Sequence, residues 1–375
     1  MSRHAANRPD AELLDYLTQG LRLEASDLHL VAGYPPTLRI HGLLKPITGA
    51  ALTADHTARL IASILPEHLS ADRRRKDHDF SLSIPHGQGR ARFRVNVFQS
   101  QGAAGACLRF IPDAIPTFEW MGVPLPLANR IAALHGGLVL ITGVTGSGKT
   151  TTLAGLVQLI NQRGDCRIVT IEEPIEYLFD PASTSVITQR EVGLDVDSFA
   201  DGLKYSLRQD PDVILCGEIR DHDTAQMALS AAETGHLVMT TLHTQDAKGA
   251  ITRLIDVFPV DQHQDVRGQL SLSLRFVITQ HLLPGVTPGG KRELALEVLV
   301  VTDAVRAAIR LNKVESIDTL IQTGKAAGMV TLDESLANLV VARKISPATA
   351  HRFAKNPNGL RALGVPNVTA DDQLH

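Results

Sequence analysis

Gly143-Val-Thr-Gly-Ser-Gly-Lys149-Thr150 lies between an apolar run, Gly137-Leu-Val-Leu-Ile141, and a run of helical character from Thr151 to Ile160. The octet matches the P-loop pattern G-x-x-x-x-G-K-[ST], and the flanking runs supply the strand–loop–helix context that pattern requires. Glycines let the backbone turn tightly so that successive N–H groups converge, and the following helix adds the positive end of its dipole. Such a cradle takes anionic oxygens. Gly143, Thr145, Gly146, Ser147, Gly148, Lys149, Thr150 and Thr151 are therefore expected to bind the phosphates of a nucleoside triphosphate. The Lys149 ammonium would reach the β- and γ-phosphates, and the Thr150 hydroxyl would ligate Mg²⁺. A glycine-rich turn with one exposed lysine would need none of this context.

On the C-terminal side of the octet, apolar strands alternate with helical runs. Strands are expected over Leu138–Thr142, Arg167–Glu172, Val213–Cys216 and Leu237–Leu242. That alternation predicts a largely parallel sheet covered by helices. Pro284-Gly-Val-Thr-Pro-Gly-Gly290 reads as a turn joining two strands, because Leu294 to Val301 is apolar again. Helices follow from Asp303 to Leu311, Leu332 to Arg343 and Pro347 to Ala354; from Asn356 onward periodicity is lost and a loose tail is expected.

On the N-terminal side the pattern differs. Leu13, Leu14, Leu17 and Leu21 recur at helical spacing between Asp10 and Leu23, and a second helix fits Ala54 to Leu65. Strands are expected over Ala25–Leu30, Thr37–His41, Phe80–Ile84, Ala91–Gln99 and Gly105–Phe110. This is a small α+β unit with an antiparallel sheet. Asp72-Arg-Arg-Arg-Lys76-Asp77 is short and sits among acids, which reads as a solvated helix face in preference to a nucleic-acid patch. Prolines at 112, 116, 124 and 126 interrupt regular structure and read as a linker or hinge. The expected organisation is an N-terminal domain over 1–111, a linker over 112–126, a nucleotide-binding core over 127–301, a helical region over 302–356 and a tail over 357–375.

Composition narrows the function classes. The 375 residues are 44% hydrophobic and 21% charged, as in ordinary soluble proteins. No apolar run approaches the roughly 20 residues of a membrane span, and no apolar core follows the charges of the first ten residues. Neither an integral membrane segment nor a signal peptide is expected. Cys107, Cys166 and Cys216 have neither zinc nor disulfide spacing, which suggests reduced thiols in a cytoplasmic protein. A formal charge of −3 gives no general reason to bind nucleic acid.

Three further stretches carry chemistry. In Asp210-Pro-Asp212-Val-Ile-Leu-Cys-Gly217-Glu218-Ile-Arg220-Asp221, a buried strand ends at Glu218, where ligands bind in open α/β sheets. Glu218 there can polarise water or hold Mg²⁺ through one. Ile171-Glu172-Glu173-Pro174-Ile175-Glu176 gathers three carboxylates in five residues, either beside a cation or as a solvated acidic turn; spacing alone leaves both open. Glu233-Thr-Gly235-His236-Leu-Val-Met-Thr-Thr241-Leu-His243-Thr244 places His243 past the end of an apolar strand beside hydroxyls, the position expected of a γ-phosphate sensor.

The order and wording of these four boxes resemble the secretion ATPases of type II secretion and type IV pilus machines. Ala25-Ser-Asp-Leu-His-Leu30, Phe93-Arg-Val-Asn96, Gln189-Arg-Glu-Val192 and Ile321-Gln-Thr-Gly324 extend the likeness over about Leu13 to Ala354, most closely to the branch that drives pilus retraction. The accessory retraction ATPases come second, through Gly193-Leu-Asp-Val-Asp-Ser-Phe199 and Leu207-Arg-Gln209. The resemblance implies a PAS-like N-terminal domain, a RecA-like ATPase core and a homo-hexameric ring hydrolysing ATP with Mg²⁺. It also implies a cytoplasmic motor at the inner-membrane face of a pilus machine, working on an inner-membrane platform protein (PilC-like), with or without a paralogous retraction ATPase. Residue by residue, Glu218 matches the catalytic carboxylate, His243 the nucleotide sensor, and Glu172 and Glu176 the first and last acids of the acidic box. Thr150, Glu172 and Glu218 would then serve the metal. Arg94 and Arg109 match N-domain arginines that reach the phosphates. Two departures stand out. Glu173 replaces the usual Asp, and the family's A-I-R-N-L-I-R reads Ala304-Val-Arg-Ala-Ala-Ile-Arg310, which keeps Arg306 and Arg310 at i, i+4. Pilus extension, type II secretion and DNA-uptake motors, a small-molecule kinase and an idle ring partner are the competing classes. The short N-terminus and the lack of a tetracysteine insert disfavour the extension motors.

Overall fold

The computed structural model describes residues 9–366, except 41, 48, 67–68, 70–75, 88, 112–113, 180–183 and 288–289. Most of the 72–77 charge run, Pro112 and the tail beyond residue 366 lie outside the described residues. The chain divides into two compact units, 1–114 and 115–375.

In the first unit, α1 (Ala11–Arg22) begins where Asp10 accepts the Glu12 N–H and buries Leu13, Tyr16, Leu17 and Gly20 at helical spacing. There follow β1 (Asp27–Leu30), β2 (Thr37–Ile40), β3 (Leu43–Pro46), α2 (Ala54–Ala62), β4 (His78–His86), β5 (Gly89–Ser100) and β6 (Ala103–Ile111). The six strands form one antiparallel sheet in the order β3-β2-β1-β6-β5-β4. Along β5, Ala91, Phe93, Val95 and Val97 point into the core, and Arg90, Arg92, Arg94 and Asn96 occupy the other face. The Phe93 ring is fully buried and meets Phe110 edge-on at 5.1 Å, a burial that contributes about 2–3 kcal/mol.

The second unit runs α3 (Phe118–Met121), α4 (Leu125–Ala132), β7 (Gly137–Thr142), α5 (Lys149–Arg163), β8 (Arg167–Glu172), β9 (Val186–Glu191), α6 (Phe199–Ser206), β10 (Val213–Cys216), α7 (His222–Glu233), β11 (Leu237–Leu242), α8 (Ala247–Asp256), α9 (His263–Ser273), β12 (Leu274–Leu283) and β13 (Glu293–Val300). Its sheet has the order β13-β12-β7-β11-β10-β8-β9 and is parallel except for β13, which pairs antiparallel with β12. β7, β10 and β11 are buried along their whole length, so they read as unbroken apolar runs. One apolar layer packs the sheet against α4 and α5, and another packs it against α6 to α9. Four more helices follow: α10 (Asp303–Arg310), α11 (Ile317–Thr323), α12 (Leu332–Val341) and α13 (Pro347–Phe353). The fold class read from the sequence, a PAS-like α+β unit followed by a RecA-like α/β core with a helical C-terminal region, is the one observed.

Two expectations are corrected. The linker expected over 112–126 holds α3 and the start of α4, and Met121 and Val123 are buried in the core. Pro124 caps α4 and Pro126 sits in its first turn, where a missing N–H costs nothing because no intrahelical acceptor exists for it. The tail is not loose at its start: Pro357–Leu363 forms a 3-10 helix, and Leu360 and Val365 are buried against α12 and α13. Two strands escaped the sequence reading. β3 is exposed throughout and β9 is largely polar, so neither shows an apolar alternation. Among the described residues, no helix is long and apolar enough to cross a membrane. All three cysteines are free, and burial pushes the Cys216 thiol up to about 12.

Candidate active site

β7 delivers the chain into the glycine loop, and α5 carries it away. Gly143 holds φ +139° and Gly148, the N-cap of α5, holds φ +89°, conformations that disfavour any residue with a Cβ. A Cβ on Gly143 would also lie 2.4 Å from the Gln280 carbonyl oxygen of β12. The Lys149 side chain is buried, and its ammonium donates to the carbonyls of Gly143 (2.8 Å) and Val144 (3.1 Å). Burial draws its pKa down and the Glu218 carboxylate draws it back up, with a net lowering. Ser147 Oγ is buried with no hydrogen-bond partner among the described residues, and Thr150 is exposed on the first turn of α5. A 15-residue helix opening on this loop, with an orphan hydroxyl and a lysine at its mouth, fits a polyphosphate.

β10 and β11 are neighbours, so their C-terminal ends emerge side by side. Gly217 donates to the Ile171 carbonyl at 2.8 Å and accepts from Thr241 Oγ1 at 2.8 Å, which fixes the turn carrying Glu218. His243 Nε2 lies 3.0 Å from Glu218 Oε2. The Arg220 guanidinium pairs with Glu218 Oε1 and donates to Glu173 Oε2 at 2.8 Å. Burial pushes the Glu218 carboxyl up, but Arg220 and His243 together outweigh it and hold the group below the usual carboxylate range. Glu218 is thus an ionised, half-desolvated carboxylate oriented on both oxygens.

The acidic box splits. Glu172, at the end of β8, is buried; its Oε1 accepts from Thr170 Oγ1 at 2.7 Å and from Gln189 Nε2 of β9 at 3.2 Å. Glu173 is exposed and turned to Arg220, while Glu176 is half-buried beside Tyr177, whose hydroxyl lies 3.2 Å from Thr151 Oγ1 on α5. Of the two readings that spacing left open, a solvated turn does not describe Glu172. Among the described residues, no group of three or more His, Cys, Asp or Glu side chains could hold a metal ion by itself. Mg²⁺ here would need phosphate oxygens beside the Thr150 hydroxyl, which is its usual habit.

Sequence reasoning missed three side chains that complete this arrangement. Arg220 stood in the strand-end motif without a role, although an arginine two residues after a carboxylate was the signal. Gln280, a polar residue inside apolar β12, donates to Thr152 Oγ1 of α5 at 2.6 Å. Thr279 beside it accepts from Thr142 Oγ1 of β7 at 2.9 Å.

The profile described as "Type II/IV secretion system protein" matches residues 9–355. The chain belongs to this family. It is 42% identical over 352 residues to the type IV pilus retractation ATPase PilT of Pseudomonas aeruginosa, covering 92% of this chain and 99% of that protein. It is 37% identical over 339 residues to the type IV pilus ATPase PilU of the same organism, covering 90% and 87%. The crystal structure of the pilus retraction motor PilT with bound ADP superposes with a TM-score of 0.83 at 41% identity, covering 93% of this chain and 98% of that chain.

The other residues singled out in the sequence lie on β5, β6 and α10. In the first unit, Arg94 and Arg109 face each other across β5 and β6. Arg109 Nε donates to the buried Asp27 at 3.0 Å, and Arg94 Nε lies 3.7 Å from Asp79. In α10, Ala307 and Ala308 separate Arg306 from Arg310, and Ala308 is turned inward. Ala308 is buried with Val305 and Ile309, while Ala307 is half-buried between the two arginines. Arg306 turns back toward the Ser271 and Leu272 carbonyls at the end of α9, and Arg310 alone of the pair stands exposed.

Proposed function

We propose that this secretion-family chain is an ATP-hydrolysing motor that powers type IV pilus retraction. The observation carrying the reading is the convergence of the Lys149 loop, Glu218, Arg220 and His243 at the C-terminal ends of adjacent parallel strands. ATP with Mg²⁺ supplies a transferable phosphoryl group and its charge neutralisation when bound. Lys149 and the amides of Gly146 to Thr150 hold the phosphates, and the Thr150 hydroxyl with Glu172 serves the metal. Glu218 accepts a proton from water as that water is oriented, and His243 reads the far phosphate. Both Glu218 oxygens are engaged by Arg220 and His243, which suits action through water more than direct metal ligation.

The likeness to PilT over nearly the whole of both chains supports retraction, and the lower identity to PilU supports an accessory retraction ATPase as the second reading. We further propose a homo-hexamer at the cytoplasmic face of the inner membrane, engaging a PilC-like platform protein, with Arg94 and Arg109 acting on the phosphates in the assembled ring. Lys149→Ala is expected to abolish ATP hydrolysis. Deleting the gene is expected to leave excess pili without twitching; bald cells would indicate an extension motor, and unchanged cells a different machine.

A further inference from the structure

The segment that follows His243 is fastened by groups from distant parts of the chain. His281 of β12 lies 3.1 Å from the Gln245 carbonyl oxygen through Nε2. Asp246 caps α8 and accepts the Gly249 N–H at 2.6 Å. The Ala247 N–H donates to Glu297 Oε1 of β13 at 2.8 Å. Glu297 is 2% exposed, and its other oxygen meets Lys355 Nζ at 2.6 Å. The same ammonium reaches Asp318 Oδ1 of α11 at 3.1 Å and lies 3.9 Å from Asp246 Oδ2. Lys355 itself is held by its backbone N–H to Asp333 of α12 at 2.8 Å.

The β12–β13 hairpin therefore touches both halves of the site. Strand alternation puts Gln280 and His281 on opposite faces, one toward Thr152 on α5 and the other toward Gln245. Leu283 and Ala295 of the hairpin pack with Leu332, Leu336 and Ala350 of the C-terminal helices.

We propose that Glu297 and Lys355 are positioning residues for hydrolysis: Lys355 holds one Glu297 oxygen, the other oxygen grips the first N–H of α8, and that grip sets His243 against Glu218. This rests on the roles given above to Glu218 and His243. Burial pushes the Glu297 carboxyl above the usual carboxylate range, and the Lys355 ammonium is the first group opposing that. Removing one partner of a buried pair leaves the other uncompensated, and a neutral carboxyl accepts an N–H more weakly than a carboxylate.

The test pairs turnover with amide exchange on the full chain. Lys355→Met is expected to raise hydrogen exchange across residues 243–249 and to lower kcat about tenfold, a displaced catalytic group being that costly. KM for Mg–ATP should stay within about twofold, because phosphate binding is untouched. Lys355→Arg should restore both readings. Adding Glu297→Gln to Lys355→Met should also recover much of kcat, since an amide oxygen accepts the Ala247 N–H without a buried charge. Unchanged exchange in Lys355→Met overturns the grip itself. Faster exchange with unchanged kcat, or a kcat loss that neither rescue relieves, overturns the link to His243. An unsubstituted chain that binds but never hydrolyses ATP overturns the ATPase reading, and the link with it, while exchange still reports the grip.

Discussion

Gly143→Ala isolates the packing of the phosphate loop against the sheet. A Cβ at that position would lie 2.4 Å from the Gln280 carbonyl oxygen and 2.6 Å from Ser147 Oγ, with φ at +139°. The carbonyl has no room to yield, because β12 is hydrogen-bonded to β7 on one side and to β13 on the other. The loop must move instead. Gly146→Ala is the matched control: φ is +79°, but a Cβ there meets nothing within 4 Å. Backbone strain costs about 1–3 kcal/mol at either residue. Overlap with a fixed carbonyl adds about 1–3 kcal/mol at residue 143 alone. Urea unfolding followed by far-UV circular dichroism and by the fluorescence of Trp120, the single tryptophan, measures the difference. The expected result is a Gly143→Ala protein less stable than Gly146→Ala by that increment, with the larger loss of nucleotide affinity besides. Equal stabilities would refute the wedge of the loop against β12.

Other outcomes are open to equally direct measurement. Glu218→Gln should bind ATP normally and turn over about a hundredfold more slowly or worse; ordinary turnover would remove Glu218 from catalysis. Arg220→Ala strips the guanidinium that most strongly opposes the burial of Glu218, so the Glu218 pKa rises and the acidic limb of kcat against pH moves to higher pH. An unmoved limb would contradict that pairing. In the first unit, Glu12 is held at about 2 by the Tyr16 hydroxyl foremost, then His56 and Arg59, against an ordinary value of 4.5. A lowered carboxylate stabilises the fold above pH 4.5 and loses that effect as pH falls toward 2. Because the side chain is 35% exposed, Glu12→Gln should cost only about 1–2 kcal/mol in neutral urea titrations, and the gap to the unsubstituted chain should close in acid. Arg94→Ala should slow hydrolysis in the assembled ring while the full chain still binds ATP; unchanged ring activity would take Arg94 out of the reaction.

The octet, Glu218 and His243 were legible because their meaning is local: a loop between strand and helix, and polar residues at the ends of apolar strands. Gln280 was not, because its partner Thr152 is 128 residues away and only the sheet order brings β12 beside β7. Glu297 hid for the same reason, as a charge inside an apolar run whose partners lie on α8 and beyond α13. β3 hid for another: an exposed edge strand, Leu43-Leu-Lys-Pro46, has no buried face to impose alternation. The prolines misled because a residue that breaks a helix interior is welcome in its first turn, as Pro126 is in α4.

At Gly155, α5 carries no side chain. Its missing side chain lets Met121 and Phe118 of α3 lie directly on the phosphate-binding helix, where a Cβ would meet Met121 Cε at 2.7 Å. Near its start in sequence, the second unit therefore seats a short helix against α5. A bulkier residue at position 155 should push α3 off α5 and lower the stability of the second unit in urea unfolding.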